Sequence, residues 1–148
     1  MAVPQAYTIG FTQKSAAAFF DLLRQQGIRR LLDVRINNTS RLAGFTRKED
    51  LAFFLRELCE AEYVHEPLLA PTKDLLKRYR DGDISWSDYE NEFLTLMRER
   101  QVEEHIAPQL FDVPTVLLCS EATPEQCHRR LVLEYLGQAW GDLDIIHL

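Results

Sequence analysis

Two rhythms of apolar and polar positions run along this chain. Five short stretches have the length and apolar content of strands covered on both faces: AYTIG (6–10), IRRLLDVR (28–35), EYVHE (62–66), PTVLLC (114–119) and LDIIHL (143–148). Between them the apolar positions return every three or four residues, the spacing of one helix face. Phe19, Phe20, Leu22 and Leu23 form the first such stripe, with Ser15 or Thr12 as its cap and Gly27 placed to stop it. Leu51, Phe54, Leu55 and Leu58 form the second, behind TRKE (46–49), where Thr46 and Glu49 have capping-box spacing. Trp86, Tyr89, Phe93, Leu96 and Met97 follow SWSD (85–88). Leu131, Val132, Tyr135, Leu136 and Ala139 follow TPEQ (123–126), with Pro124 at the expected first helical position.

Strand alternating with helix predicts a single α/β domain over 1–148. Its mainly parallel sheet of about five strands is flanked by helices. Residues 72–111 break the alternation with helical patterns and no strand, a helical excursion expected to roof one end of the sheet.

Composition narrows the function classes. The 148 residues suffice for one well-filled core, and 46% apolar with 27% charged residues is ordinary for a soluble protein. No apolar run approaches the about 18 residues of a membrane span, so no membrane partner is expected. MAVPQAYTIGF lacks the basic leader and apolar core of a secretion signal. Three cysteines argue against a disulfide framework and for a reducing compartment, so a cytoplasmic location is expected. A net charge of −6 excludes a broad basic face, leaving nucleic acid only a narrow cleft.

Ligands of open parallel sheets bind beyond the carboxyl ends of the strands. Reading those ends collects Thr12 after the first strand, Asp33 and Arg35 on the second, and Ser40 and Arg41 in the loop that follows. His65 and Glu66 end the third strand, Cys119 and Glu121 the fourth, and His147 the fifth if that strand runs parallel. On the last helix, His128 falls on the buried face one turn from Val132, with Cys127 and Arg129 at its edges and Arg130 towards solvent. Cys127 in a first helical turn would feel the positive end of the helix dipole, which lowers a thiol pKa and attracts anions.

YTIGFT, LLDVRINNTSR (31–41), CSEATPEQCHRR (119–130) and the closing IIHL together resemble the domain-of-unknown-function family 488 over nearly the whole chain. The resemblance implies a compact α/β domain whose signature positions are Asp33, Arg35, Ser40, Arg41, Cys119, Glu121, Cys127, His128 and Arg129. It implies no activity. Phe11 stands where the family usually has a histidine, so no role of that histidine carries over. PLLAPT replaces a glycine-containing loop after the third strand.

Several chemistries compete for these residues. Arg35, Arg41 and Arg129 could grip a phosphate, or else pair with Asp33 and Glu121 as a structural network. Cys119 beside an inward His128 could be a nucleophile, or a buried inert thiol. The phosphatase loop places an arginine where Glu125 stands, so that pattern fails. LLDVR is similar to sulfurtransferase domains only weakly. No cofactor is expected. A metal on Cys119, Cys127 and His128 is disfavoured by non-standard spacing and by the about 100° between adjacent residues on a helix. A reversible Cys119–Cys127 disulfide is disfavoured further. Cys59 reads as core, His105 as solvated, RYRDGD (78–83) as an exposed turn, and the Trp86–Phe93 stripe as packing.

The preferred expectation is an enzyme binding a phosphorylated or nucleotide-like anionic small molecule at the strand ends. Cys119, Glu121 and His128 are its candidate chemical groups, and Thr12, Asp33, Arg35, Ser40, Arg41, Cys127 and Arg129 its ligand-binding ones. The alternatives are a non-catalytic module binding an anion or a nucleic-acid end, and a cysteine-based redox or metal sensor.

Overall fold

The computed structural model describes residues 5–12, 14–36, 41–119, 127–141 and 143–148, the side chains of 41–43 excepted. Among the described residues there are five strands: β1 (Gln5–Gly10), β2 (Arg30–Asp33), β3 (Glu62–His65), β4 (Thr115–Cys119) and β5 (Asp144–His147). They form one sheet in the order β3-β2-β4-β1-β5, and every pairing is parallel. All five carboxyl ends therefore point the same way. At that edge Gly10 lies opposite Cys119, Asp33 opposite His65 and Leu118, and Thr8 opposite His147.

The period-2 alternation of each strand explains the layers. Tyr7, Ile9, Leu31, Val116 and Leu118 share one face with Phe19, Phe20 and Leu23 of α1 (Ala16–Gln25) and Leu51 of α2 (Lys48–Phe54). Ala6, Leu32, Val34, Leu117 and Cys119 turn to the other face. There they meet α3 (Lys73–Arg80), α4 (Trp86–Arg100), α5 (Val102–His105) and α6 (His128–Trp140). The result is a three-layer α/β/α domain with a core on each side of the sheet. No described helix is long and apolar enough to cross a membrane.

The local signals operate in some places and not in others. Ser15 caps α1, its Oγ accepting the Ala18 N–H at 3.1 Å. Gly27, at φ +65°, lets the chain leave that helix in the left-handed region. Ser85 caps α4 in the same way through Asp88 N–H at 3.1 Å. The expected Thr46 cap is not formed. Extended Arg47 precedes α2 without a side-chain cap, and Thr46 is fully buried with its carbonyl accepting from Arg35 at 2.6 Å. The helix starts one residue later than expected, after Arg47.

Residues 72–111 are indeed helical, but they cover a face of the sheet and do not roof its end. Tyr89, Phe93 and Met97 of α4 are buried in the same core as Leu32, Val34 and Leu117. Full burial of such side chains is worth about 1.5–3 kcal/mol each. The Arg100 guanidinium fastens the far end of α4 by donating to the carbonyls of Leu68 and Ala70, both at 2.7 Å.

Candidate functional site

Cys119, Cys127, His128 and Arg129 meet where β4 ends and α6 begins. Cys119 is the last residue of the central strand, and Cys127 is the extended residue immediately before the helix. Their exposures are 1% and 2%, with 8% for His128 and 0% for Arg129. The expected helix start at 123–126 and the candidate Glu121 lie outside the described residues, as does Ser40. The side chain of Arg41 is likewise outside them, although its backbone begins a 3-10 turn.

The argument that Cys127 and His128 must diverge fails because Cys127 is not helical, with φ −138° and ψ 139°. An extended residue followed by a helical one lets both side chains turn to the same place. Two sulfurs and a His128 ring nitrogen consequently lie within 4.8 Å of one another. The Cys119 and Cys127 sulfurs are themselves in bonding contact, contrary to the expectation against a pair. Their Cα atoms are 7.6 Å apart, wider than the about 4.4–6.8 Å usual for a disulfide.

Arg129 supplies positive charge at the sulfurs. Its Nη1 donates to Cys119 Sγ at 3.4 Å and to Cys127 Sγ at 3.9 Å. Burial lowers the Lys14 pKa, and the Arg129 charge lowers it further. Arg129 and the amino end of α6 favour a sulfur that carries negative charge.

His128 is held from the other side. Its Nε2 lies 2.7 Å from the Val34 carbonyl oxygen. A carbonyl only accepts, so Nε2 carries the hydrogen and Nδ1 keeps a lone pair. Burial pushes the His128 pKa down to about 4, the Val34 bond opposes this, and Arg129 adds to it. The imidazole is neutral at neutral pH. Phe93 packs on it with ring centroids 5.5 Å apart, ending an aromatic run through Trp86 and Tyr89.

Asp33, the last residue of β2, and Arg35, two residues beyond it, form a separate unit. The Arg35 guanidinium donates bidentately to the Asp33 carboxylate at 2.8 Å for both bonds, and to the Thr46 carbonyl. Tyr63 OH completes Asp33 at 2.6 Å. Asp33 is fully buried and Arg35 is 4% exposed. The Arg35 guanidinium carbon lies over the Phe11 ring, 5.4 Å from its centroid. Thr12 is exposed beyond β1. His65 donates from Nε2 to the Arg35 carbonyl at 3.1 Å, while Glu66 caps the following turn through Leu68 N–H. His147, on a strand that does run parallel, places Nδ1 2.5 Å from Thr8 Oγ1.

Arg130 does not simply face solvent. It is half-buried and pairs with Glu134 at 3.0 Å, with Glu90 beyond at 3.9 Å. Lys14, Tyr63, Phe93 and the Val34 carbonyl were not among the expected site residues. Only cross-strand register and helix docking bring them there, and neither is written in local spacing.

Fold and site together define an all-parallel α/β protein with a buried cysteine pair, histidine and arginine at the carboxyl edge of its central strand. Residues 15–136 match the family described as Domain of unknown function DUF488, and the chain belongs to that family. No curated protein and no solved structure matches it.

Proposed function

We propose that this chain is a thiol redox protein in which Cys119 and Cys127 cycle between a dithiol and a disulfide. One observation carries the reading: two cysteine sulfurs in bonding contact share a fully buried arginine that donates to both. A guanidinium does not give up its proton, and a buried cation is stabilised by a nearby anion. Charge-assisted N–H to thiolate contacts add such an anion in the reduced state.

Cysteines only 1% and 2% exposed suit a small oxidant, and hydrogen peroxide is the probe. The Cys119 thiolate attacks one peroxide oxygen, the O–O bond breaks, and hydroxide leaves a sulfenic acid. The Cys127 thiolate then attacks that sulfur, the S–O bond breaks, and a second hydroxide departs. Two electrons pass from the sulfur pair to peroxide.

An anion-binding enzyme has less support, because the Arg35 guanidinium is already occupied by Asp33 and the Thr46 carbonyl. The test is alkylation of the reduced protein before and after peroxide, read by peptide mass spectrometry. Cys119 and Cys127 should lose their free thiols together and regain them with dithiothreitol. Cys59 is the internal reference, since burial raises its thiol pKa. Oxidation of the pair no faster than Cys59 defeats the reading.

A further inference from the structure

We infer that the reduced centre binds one thiophilic divalent cation of the zinc type, with Cys119 Sγ, Cys127 Sγ and His128 Nδ1 as its ligands. This rests on the proposed reading that both sulfurs are available as thiolates. It adds an occupant that the redox cycle itself does not require.

Three observations converge. The first is composition: two thiolates and one imidazole form a borderline-soft donor set that zinc favours. The second is placement: one ligand atom from each residue lies within 4.8 Å of the others, and all three residues are buried. The third is the support behind the histidine. Metal-bound histidines commonly donate their second ring N–H to a backbone carbonyl, which fixes the tautomer. His128 Nε2 does so to Val34 at 2.7 Å, leaving Nδ1 with the lone pair.

Backbone spacing points the same way. At 7.6 Å between Cα atoms, the two cysteines stand further apart than most disulfides allow. An ion between the sulfurs, each metal–sulfur bond being about 2.3 Å, accepts a wider backbone separation than a direct bond does. Closing the disulfide consumes both sulfur ligands. Peroxide oxidation then yields the disulfide, two hydroxides and the free cation, which makes occupancy a readout of oxidation.

Cobalt(II) is the probe, added without oxygen to the reduced full chain. The expected result is a thiolate-to-cobalt charge-transfer band saturating at one ion per chain and bleached by zinc. Cys119→Ser or Cys127→Ser should abolish it. His128→Gln keeps an amide donor for the Val34 carbonyl and removes Nδ1, and should weaken binding at least about tenfold. Circular dichroism of each variant separates a lost ligand from a lost fold. No band in folded wild type overturns the inference, as does unchanged affinity in folded His128→Gln. If cobalt fails to bind while peroxide still closes the pair, the inference falls and the redox reading stands. If cobalt binds but peroxide neither closes the pair nor releases the ion, the redox reading falls and the metal site stands.

Discussion

Replacing Arg35 by methionine separates a structural arginine from a ligand-binding one. In the folded protein Arg35 makes two 2.8 Å bonds to Asp33 and one to the Thr46 carbonyl, with almost no solvent at either charged group. Methionine fills much of the same volume, so packing is largely kept. The Asp33 carboxylate, however, is left buried with only Tyr63 OH and the residue-35 backbone N–H. Removing one partner of a buried pair costs about 3–5 kcal/mol. The two surviving donors place the expected loss near about 3 kcal/mol. Domains of this size have about 5–15 kcal/mol in total, so the variant should still fold while melting about 6–12 °C lower. Urea unfolding followed by circular dichroism gives the free energy directly. The double variant Asp33→Asn/Arg35→Met removes both charges and should recover at least half of the loss. A single variant within about 1 kcal/mol of wild type would refute the reasoning. A double variant no more stable than the single one would do the same. An arginine reserved for an anion predicts the opposite pattern: near-wild-type stability alone, with lost stabilisation by added phosphate.

Two further outcomes are expected. His128 is neutral in the fold with its pKa pushed down to about 4 by burial, while Arg129, Arg80 and Asp33 also act on it. The unfolded chain takes up that proton more readily, so its contribution is full above about 6.5 and is lost as pH falls through about 4, reaching about 3 kcal/mol. Urea midpoints of the reduced, metal-free protein should drop across that window, and the drop should be smaller in His128→Gln; equal slopes would refute the assignment. Ser85→Ala removes the acceptor for Asp88 N–H and should lower stability by about 1 kcal/mol, whereas Ser85→Asp should hold it near wild type.

The strands were legible because each is a short apolar run: four of the five expected stretches contain the observed strand, and β1 starts one residue before its stretch, at Gln5. Ser15, one of two expected caps, and the helix start at SWSD (85–88) were legible because a cap acts over three residues. Thr46 was misread for a reason its own neighbourhood does not contain, since Arg35, just beyond β2, donates to its carbonyl. The same distinction governs the site. Strand-end reasoning found Asp33, Arg35 and Cys119, because topology alone puts them at one edge, and the buried face of the last helix pointed to His128. The pairing of Cys119 with Cys127 escaped because it depends on one residue being extended and not helical. Tyr63 and Lys14 escaped because their partners are far away in sequence.

The strand order has a consequence for how the chain acquires its shape. β4 lies between β2 and β1, yet it is the fourth strand to leave the ribosome. Until residues 115–119 emerge, β1 and β2 each present a bare, apolar inner edge with no neighbour to satisfy it. Exposed edges of this kind recruit other chains. Insertion of β4 seals both at once, so the sheet closes in one late, long-range step of the sort that slows folding. β4 also ends in Cys119, and Cys127, His128 and Arg129 follow it in the chain, so the sulfur centre forms only once the inner edges of β1 and β2 are sealed.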